Sequence, residues 1–245
     1  MSTTALTTGS TLPAETKKAL RLLGDTIAQM ESEALSLDEL SRCNAHQDPF
    51  ENAAKAYSRQ IEAQLKYYRE RWLLSYGDNE FGSIYVPRPK GYLKTILVLP
   101  SYFAGPEDVF SKWKSEAKFK VWKWDESKSL NHLIPNDRRR LGHYALLHGG
   151  RQEADVELQN RSWEDNFRDR VEMMRATEAL LFEDQHYTEH KKHIDPEATA
   201  TLTGSLDVDG DAVVVYWRPD NEKFYVYGYD LQDAGPDLRS RAVSL

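Results

Sequence analysis

A single cysteine, Cys43, occurs in the 245 residues, so no internal disulfide can form and neither a disulfide scaffold nor a cysteine-built zinc cluster is available. That usage agrees with a reducing compartment, and the expected location is cytoplasmic. No apolar run approaches the roughly 20 residues that span a bilayer, and Ile96-Leu97-Val98-Leu99 reads instead as a buried strand, so no membrane partner is expected. The Thr/Ser-rich start, residues 1–12, lacks the basic and apolar segments of a signal peptide and reads as a flexible polar tail. Also missing are the glycine-rich phosphate loops G-x-x-x-x-G-K-[ST] and G-x-G-x-x-G and the nucleophile elbow G-x-S-x-G. Nucleotide hydrolysis, dinucleotide binding and α/β-hydrolase chemistry therefore lack their usual sequence support.

A net positive charge is also lacking. A net charge of -7 argues against nucleic-acid or anionic-membrane binding by the whole surface. Its distribution is uneven, because residues 112–151 hold ten basic side chains against four acidic ones. Within that stretch Lys118, Lys120, Trp122, Lys123 and Trp124, with Arg138, Arg139 and Arg140 downstream, interleave lysines with aromatic rings. Lysines neutralise phosphates and exposed rings stack on bases, so single-stranded nucleic acid is one candidate partner. The competing reading makes Phe119, Val121 and one or more of the tryptophans core residues, with the lysines as their solvated flank.

What is present is an α+β pattern. With 40% hydrophobic residues and a mean hydropathy of -0.68, one globular domain over 13–245 is expected. Apolar spacing at Leu20, Leu23, Ile27 and Met30, then at Ala53, Tyr57, Ile61, Leu65 and Tyr68, predicts an N-terminal helical hairpin over 13–76. Residues 81–99 read as a β-hairpin around Pro87-Arg88-Pro89-Lys90-Gly91, and 137–193 as helical. In the latter a short helix would carry Leu141, Tyr144 and Ala145, and a long one from about Asn160 would bury Trp163, Phe167, Val171, Met174 and Leu181. Pro106 to Trp124 mixes periods and yields no assignment.

Residues 200–230 form the clearest segment, a three-stranded antiparallel meander. A two-residue Asp209-Gly210 turn would pair Val208 with Asp211 and Leu206 with Val213, placing Thr201, Thr203 and Ser205 on the opposite, polar face. The third strand, Lys223 to Tyr229, is expected to give Phe224 and Val226 to the core. Tyr225, Tyr227 and Tyr229 would then lie beside Tyr216 as an aromatic binding surface. Asp207-Val208-Asp209-Gly210-Asp211 begins like a calcium loop, but its glycine comes too early and the twelfth position is Arg218 rather than glutamate. A tight turn explains it better.

His186-Tyr187-Thr188-Glu189-His190 is the most enzyme-like string, and over these five positions it resembles the H-x-x-E-H motif of inverted zinc metalloproteases. The resemblance implies a zinc held by His186 and His190, with Glu189 activating water; a third ligand is still required, for which His193 lies close by and Glu197 or Glu222 could approach in the fold. A solvated helix end, where histidines and Lys191-Lys192 face the dipole's negative pole, explains the cluster without metal. The leading reading is a nonenzymatic interaction protein with no expected cofactor, using the tyrosine face or the helical hairpin to bind another protein or a second copy. A zinc-dependent hydrolase and a single-strand binder are the alternatives.

Overall fold

A computed structural model describes residues 51–77, 81, 84–116, 120–137, 142–196 and 199–245. The expected tail and first hairpin helix, Cys43, Lys118, Leu141 and Arg138 to Arg140 lie outside these residues. The architecture is α+β, with five α-helices and two sheets among the described residues.

Helix α1, Glu51–Trp72, buries Tyr57, Ile61, Gln64, Tyr67 and Tyr68, the three- and four-residue steps of one helical face. It ends before Gly77, where Leu73 turns left-handed at φ 54°. Strand β1, Thr95–Leu99, follows a stretch that forms no hairpin with it. Pro87 and Pro89 have no N–H to give a ladder, and among the described residues of this stretch only an isolated Lys90–Leu93 bridge forms. β1 instead pairs antiparallel with β3, Tyr144–His148, in the register Ile96 to Leu147 and Val98 to Ala145. The predicted helix around Tyr144 and Ala145 is thus a strand, because a short apolar run buried on both faces carries no period that separates the two states. The unassigned stretch between them resolves into α2, Pro106–Ser115, and β2, Lys120–Lys123, and a single turn α3, Leu130–Leu133, follows it.

The long helix expected from Asn160 is two helices, α4 at Trp163–Arg168 and α5 at Ala176–His190. Arg170 turns left-handed between them at φ 56°. Met174 and Leu181 are buried as expected, but Phe167 is 67% exposed. Helix α5 is the centre of the fold: Ala176 to Asp184 are all buried, against β1 of one sheet, α2, and β4 and β5 of the other. Its N-terminus is capped from a distance by Asp137, which accepts from Ala176 N at 3.0 Å and from Thr177 N at 3.3 Å.

β4, Ala200–Leu206, β5, Ala212–Arg218, and β6, Lys223–Tyr229, form the expected meander. The sheet is completed as β2-β6-β5-β4-β7, with β2 parallel to β6 and β7, Leu238–Ser240, parallel to β4. The first register differs from expectation by one residue beside the turn and, past an irregularity between Leu202 and Leu206, by three, with Leu202 opposite Val214. Asp207 accepts the N–H groups of Asp209 and Asp211 through its side chain, both at 2.9 Å, which lengthens the turn and pairs Leu206 with Ala212. Because side chains alternate, that slip reverses the faces of β4. The hydroxyl row now points inward, buried and satisfied: Thr203 bonds Val213 O at 2.8 Å and Ser205 bonds Asp137 at 2.6 Å. Val213, Val215, Phe224 and Val226 complete the inward face.

The C-terminus ties both sheets. β7 belongs to the five-stranded sheet, whereas β8, Val243–Ser244, pairs with β3 in the other. Between them Arg241, 2% exposed, bonds Gln152 O and Asp195 at 2.7 Å and Arg151 O at 2.8 Å.

Candidate functional site: an aromatic sheet face

Even-numbered residues of β5 and odd-numbered residues of β6 point outward, away from α5. The register pairs Tyr216 with Tyr225, Val214 with Tyr227 and Ala212 with Tyr229. The tyrosines therefore share one face, with Phe224 and Val226 behind them in the core. They share it with Ala200, Leu202, Val214 and Leu206, against which Tyr216, Tyr229, Trp163 and Leu231 pack as a small second cluster. The face is therefore apolar where the expected register made it hydroxyl-lined.

Trp122 joins this surface, a placement that no local pattern announces. Parallel pairing of β2 with β6 sets Trp122 opposite Tyr225 and Lys120 opposite Lys223. The rings of Trp122 and Tyr225 lie 5.3 Å apart, those of Trp122 and Tyr227 5.8 Å, and Tyr216 and Tyr225 stack at 5.1 Å with only 8° between planes. Tyr227 meets Tyr229 edge-on, and Asn221 donates to the Tyr225 hydroxyl at 2.7 Å. Tyr227 is the most open of the set, 41% exposed, while Tyr216, Tyr225 and Tyr229 are half-buried. Burial raises the Tyr216 and Tyr229 phenols above their ordinary range, so both stay protonated near neutrality.

The rest of the basic aromatic segment divides. Trp113 is fully buried and donates to Asp184 at 2.6 Å. Lys123, 4% exposed, is spent on Lys128 O at 2.5 Å and Glu107 at 3.3 Å. Trp124 is half-buried against the main core. Lys120 remains outside, 3.3 Å from Glu222. Among the described residues the segment therefore does not present its lysines and rings as one continuous surface.

The histidines also separate. His186 and His190 lie one turn apart on α5, ring centroids 4.6 Å from each other, and Glu189 stands 3.8 Å from His190 Nε2 and accepts from Gln185 at 3.1 Å. His193 does not join them. After the left-handed Lys191 reverses the chain, its ring stacks on Trp217 at 3.6 Å and bonds the buried Glu183. The described residues contain no group of three His, Cys, Asp or Glu side chains disposed to hold a metal.

His186 and His190 instead line a cleft of about 250 Å³ with Gln60, Thr95, Phe182 and His148. Burial, then the Arg241 charge, lowers His148 to about 3, and burial, then His190, lowers His186 to about 4. Both rings are neutral at pH 7. His148 Nδ1 accepts from Gly150 N at 3.1 Å, which leaves the ring proton on Nε2.

Burial of neutral His148 has a measurable consequence. The unfolded chain takes up this proton near 6.5 and the folded protein only near 3, so in that window unfolding binds protons. The contribution is complete above pH 6.5 and falls as pH drops, by about 1.4 kcal/mol per unit, or roughly 2–3 kcal/mol by pH 4.5. Urea unfolding of the wild type and His148→Gln at pH 7 and pH 4.5 should show a smaller acid loss in the variant by that amount. Equal losses would refute the assignment.

No known protein family, curated protein or solved structure matches the chain at a significant level.

Proposed function

We propose that the chain is a nonenzymatic interaction protein that presents the outer face of its five-stranded sheet to another protein. One observation carries this reading: Trp122, Tyr216, Tyr225, Tyr227 and Tyr229, drawn from three strands, pack ring against ring on a single outer face. Side chains already held by their neighbours lose little freedom on binding, and tyrosines offer a large apolar body with a polar tip.

A protein partner fits better than a nucleic-acid strand. Base stacking needs open ring faces, whereas Tyr216 and Tyr225 turn theirs toward each other, and Lys120 and Arg218 at the same end already face Glu222 and Asp220.

A photoreactive phenylalanine at position 227 should crosslink one defined partner, identifiable by mass spectrometry, while the same residue at exposed Leu73 should not. Combined Tyr225→Ser and Tyr227→Ser should weaken the purified complex by at least tenfold, a hot-spot effect of about 1.4 kcal/mol or more, with unchanged circular dichroism. A partner that crosslinks from position 73 alone, or that binds the double variant normally, would remove this reading.

A further inference from the structure

The tyrosine face ends in a hollow of about 340 Å³, walled by Tyr216 and Tyr229, floored by Ala200 and rimmed by Asp237, Asp220 and Arg218. Three elements build it. β5 supplies Tyr216 and Arg218, the end of β6 supplies Tyr229, and the parallel pairing of β7 with β4 brings Asp237 beside Ala200, whose N–H donates to the Asp237 carbonyl at 2.8 Å.

The polar groups differ in availability. Arg218 Nε and Asp220 Oδ1 lie 3.6 Å apart, so part of that carboxylate faces a cation already. The Asp237 side chain has no ion-pair or hydrogen-bond partner among the described residues. Asp233 is also near enough to Tyr229 to act on its phenol electrostatically. Two carboxylates, Asp220 and Asp237, thus line the hollow against one guanidinium.

We infer that this hollow takes an arginine side chain of the partner, an assignment that rests on the sheet face being the interface. Its chemistry selects that side chain in two ways. A guanidinium is planar and weakly hydrated, so it stacks on a tyrosine face while its N–H groups still reach outward. The Asp237 carboxylate offers the two parallel oxygens that a guanidinium fork meets bidentately, and the surplus of negative charge favours a cation. Lysine would satisfy the charge without the stacking or the fork. A neutral side chain would leave Asp237 partly desolvated and unpaired, which is costly.

A flexible peptide of alternating arginine and glycine, its citrulline counterpart and its lysine counterpart are the probes, titrated against the full chain with amide shifts of Ala200 and Tyr229 as the readout. The arginine peptide should bind and shift both amides, and the lysine and citrulline peptides should bind about tenfold or more weakly. Asp237→Asn should weaken arginine binding by a similar factor and erase the preference over citrulline, whereas Asp209→Asn should leave both intact. Failure of the arginine peptide to bind, equal binding of citrulline, or sensitivity to Asp209 rather than Asp237 would each overturn the assignment. Failure of the underlying reading is separable. A partner complex unaffected by Tyr225→Ser with Tyr227→Ser removes the interface, while an arginine peptide that fails leaves that complex untouched.

Discussion

Asp184→Ala is expected to destabilise the protein by about 3–5 kcal/mol, the usual cost of removing one partner from a buried, fully bonded charge network. Asp184 is completely buried at the middle of α5. It accepts from Trp113 Nε1 at 2.6 Å, from Arg71 at 2.9 Å and 3.2 Å, and from the Tyr67 hydroxyl. Arg71 continues to Glu116, with a second bond at 2.8 Å. One carboxylate therefore joins α1, α2 and α5. Removing it leaves an indole N–H, a phenol and half of a guanidinium without their acceptor in a dry setting. Chemical denaturation at pH 7 reads the loss, and a cost below about 1 kcal/mol would show that these groups find water or other partners. Trp113→Phe, which removes one donor and little volume, should cost much less.

Arg241→Ala is the second large effect, again about 3–5 kcal/mol, because it strands the fully buried Asp195. Here the remedy discriminates between charge and packing. Asp195 also receives the Ala154 N–H at 2.7 Å and the Thr201 hydroxyl, and burial raises its pKa despite the Arg241 charge. Without Arg241 that carboxyl is pushed further toward its protonated form, so the deficit of the variant relative to the wild type should shrink on mild acidification. The double variant Arg241→Met with Asp195→Asn should be more stable than Arg241→Ala alone by about 1–3 kcal/mol, since no buried charge remains. A double variant as unstable as the sum of its parts would show that Arg241 acts through its bonds to the 151–153 carbonyls, not through the ion pair.

Both networks bear on how much of this molecule is legible in a linear reading. Glu178, Glu183 and Asp184 lie on α5, where charged residues of an amphipathic helix would ordinarily mark the wet side, yet all three are fully buried. Each is matched by a partner outside the helix: Tyr144 for Glu178, His193 and the Ile194 N–H just past the helix end for Glu183, and the distant Arg71 and Trp113 for Asp184. Local periodicity cannot reveal a helix enclosed on every side, because its polar positions are satisfied rather than exposed. The same limit explains Tyr144 to His148, a strand whose neighbours β1 and β8 come from distant segments.

The candidate surface was readable in part. Alternation in Lys223 to Tyr229 separates Phe224 and Val226 from the three tyrosines, and β5 next to it carries Tyr216 in step. Trp122 and Asp237 were not readable, because parallel pairings at the two edges of the sheet bring them to the surface. The histidine string was legible as a motif, but its geometry was not. One left-handed residue, Lys191, sends His193 away to Trp217.

The sequence by itself determined the α+β class, the meander and the inward direction of Phe224 and Val226, since these follow from period-two alternation and short turns within 30 residues. Tertiary structure alone decided the register of β4, the split of the strands into two sheets, the burial of the α5 carboxylates and the assembly of the aromatic face. The physical reason is the same in each case. Side-chain hydrogen bonds such as those of Asp207 and pairings between distant strands choose among arrangements that local propensity leaves nearly equal in energy.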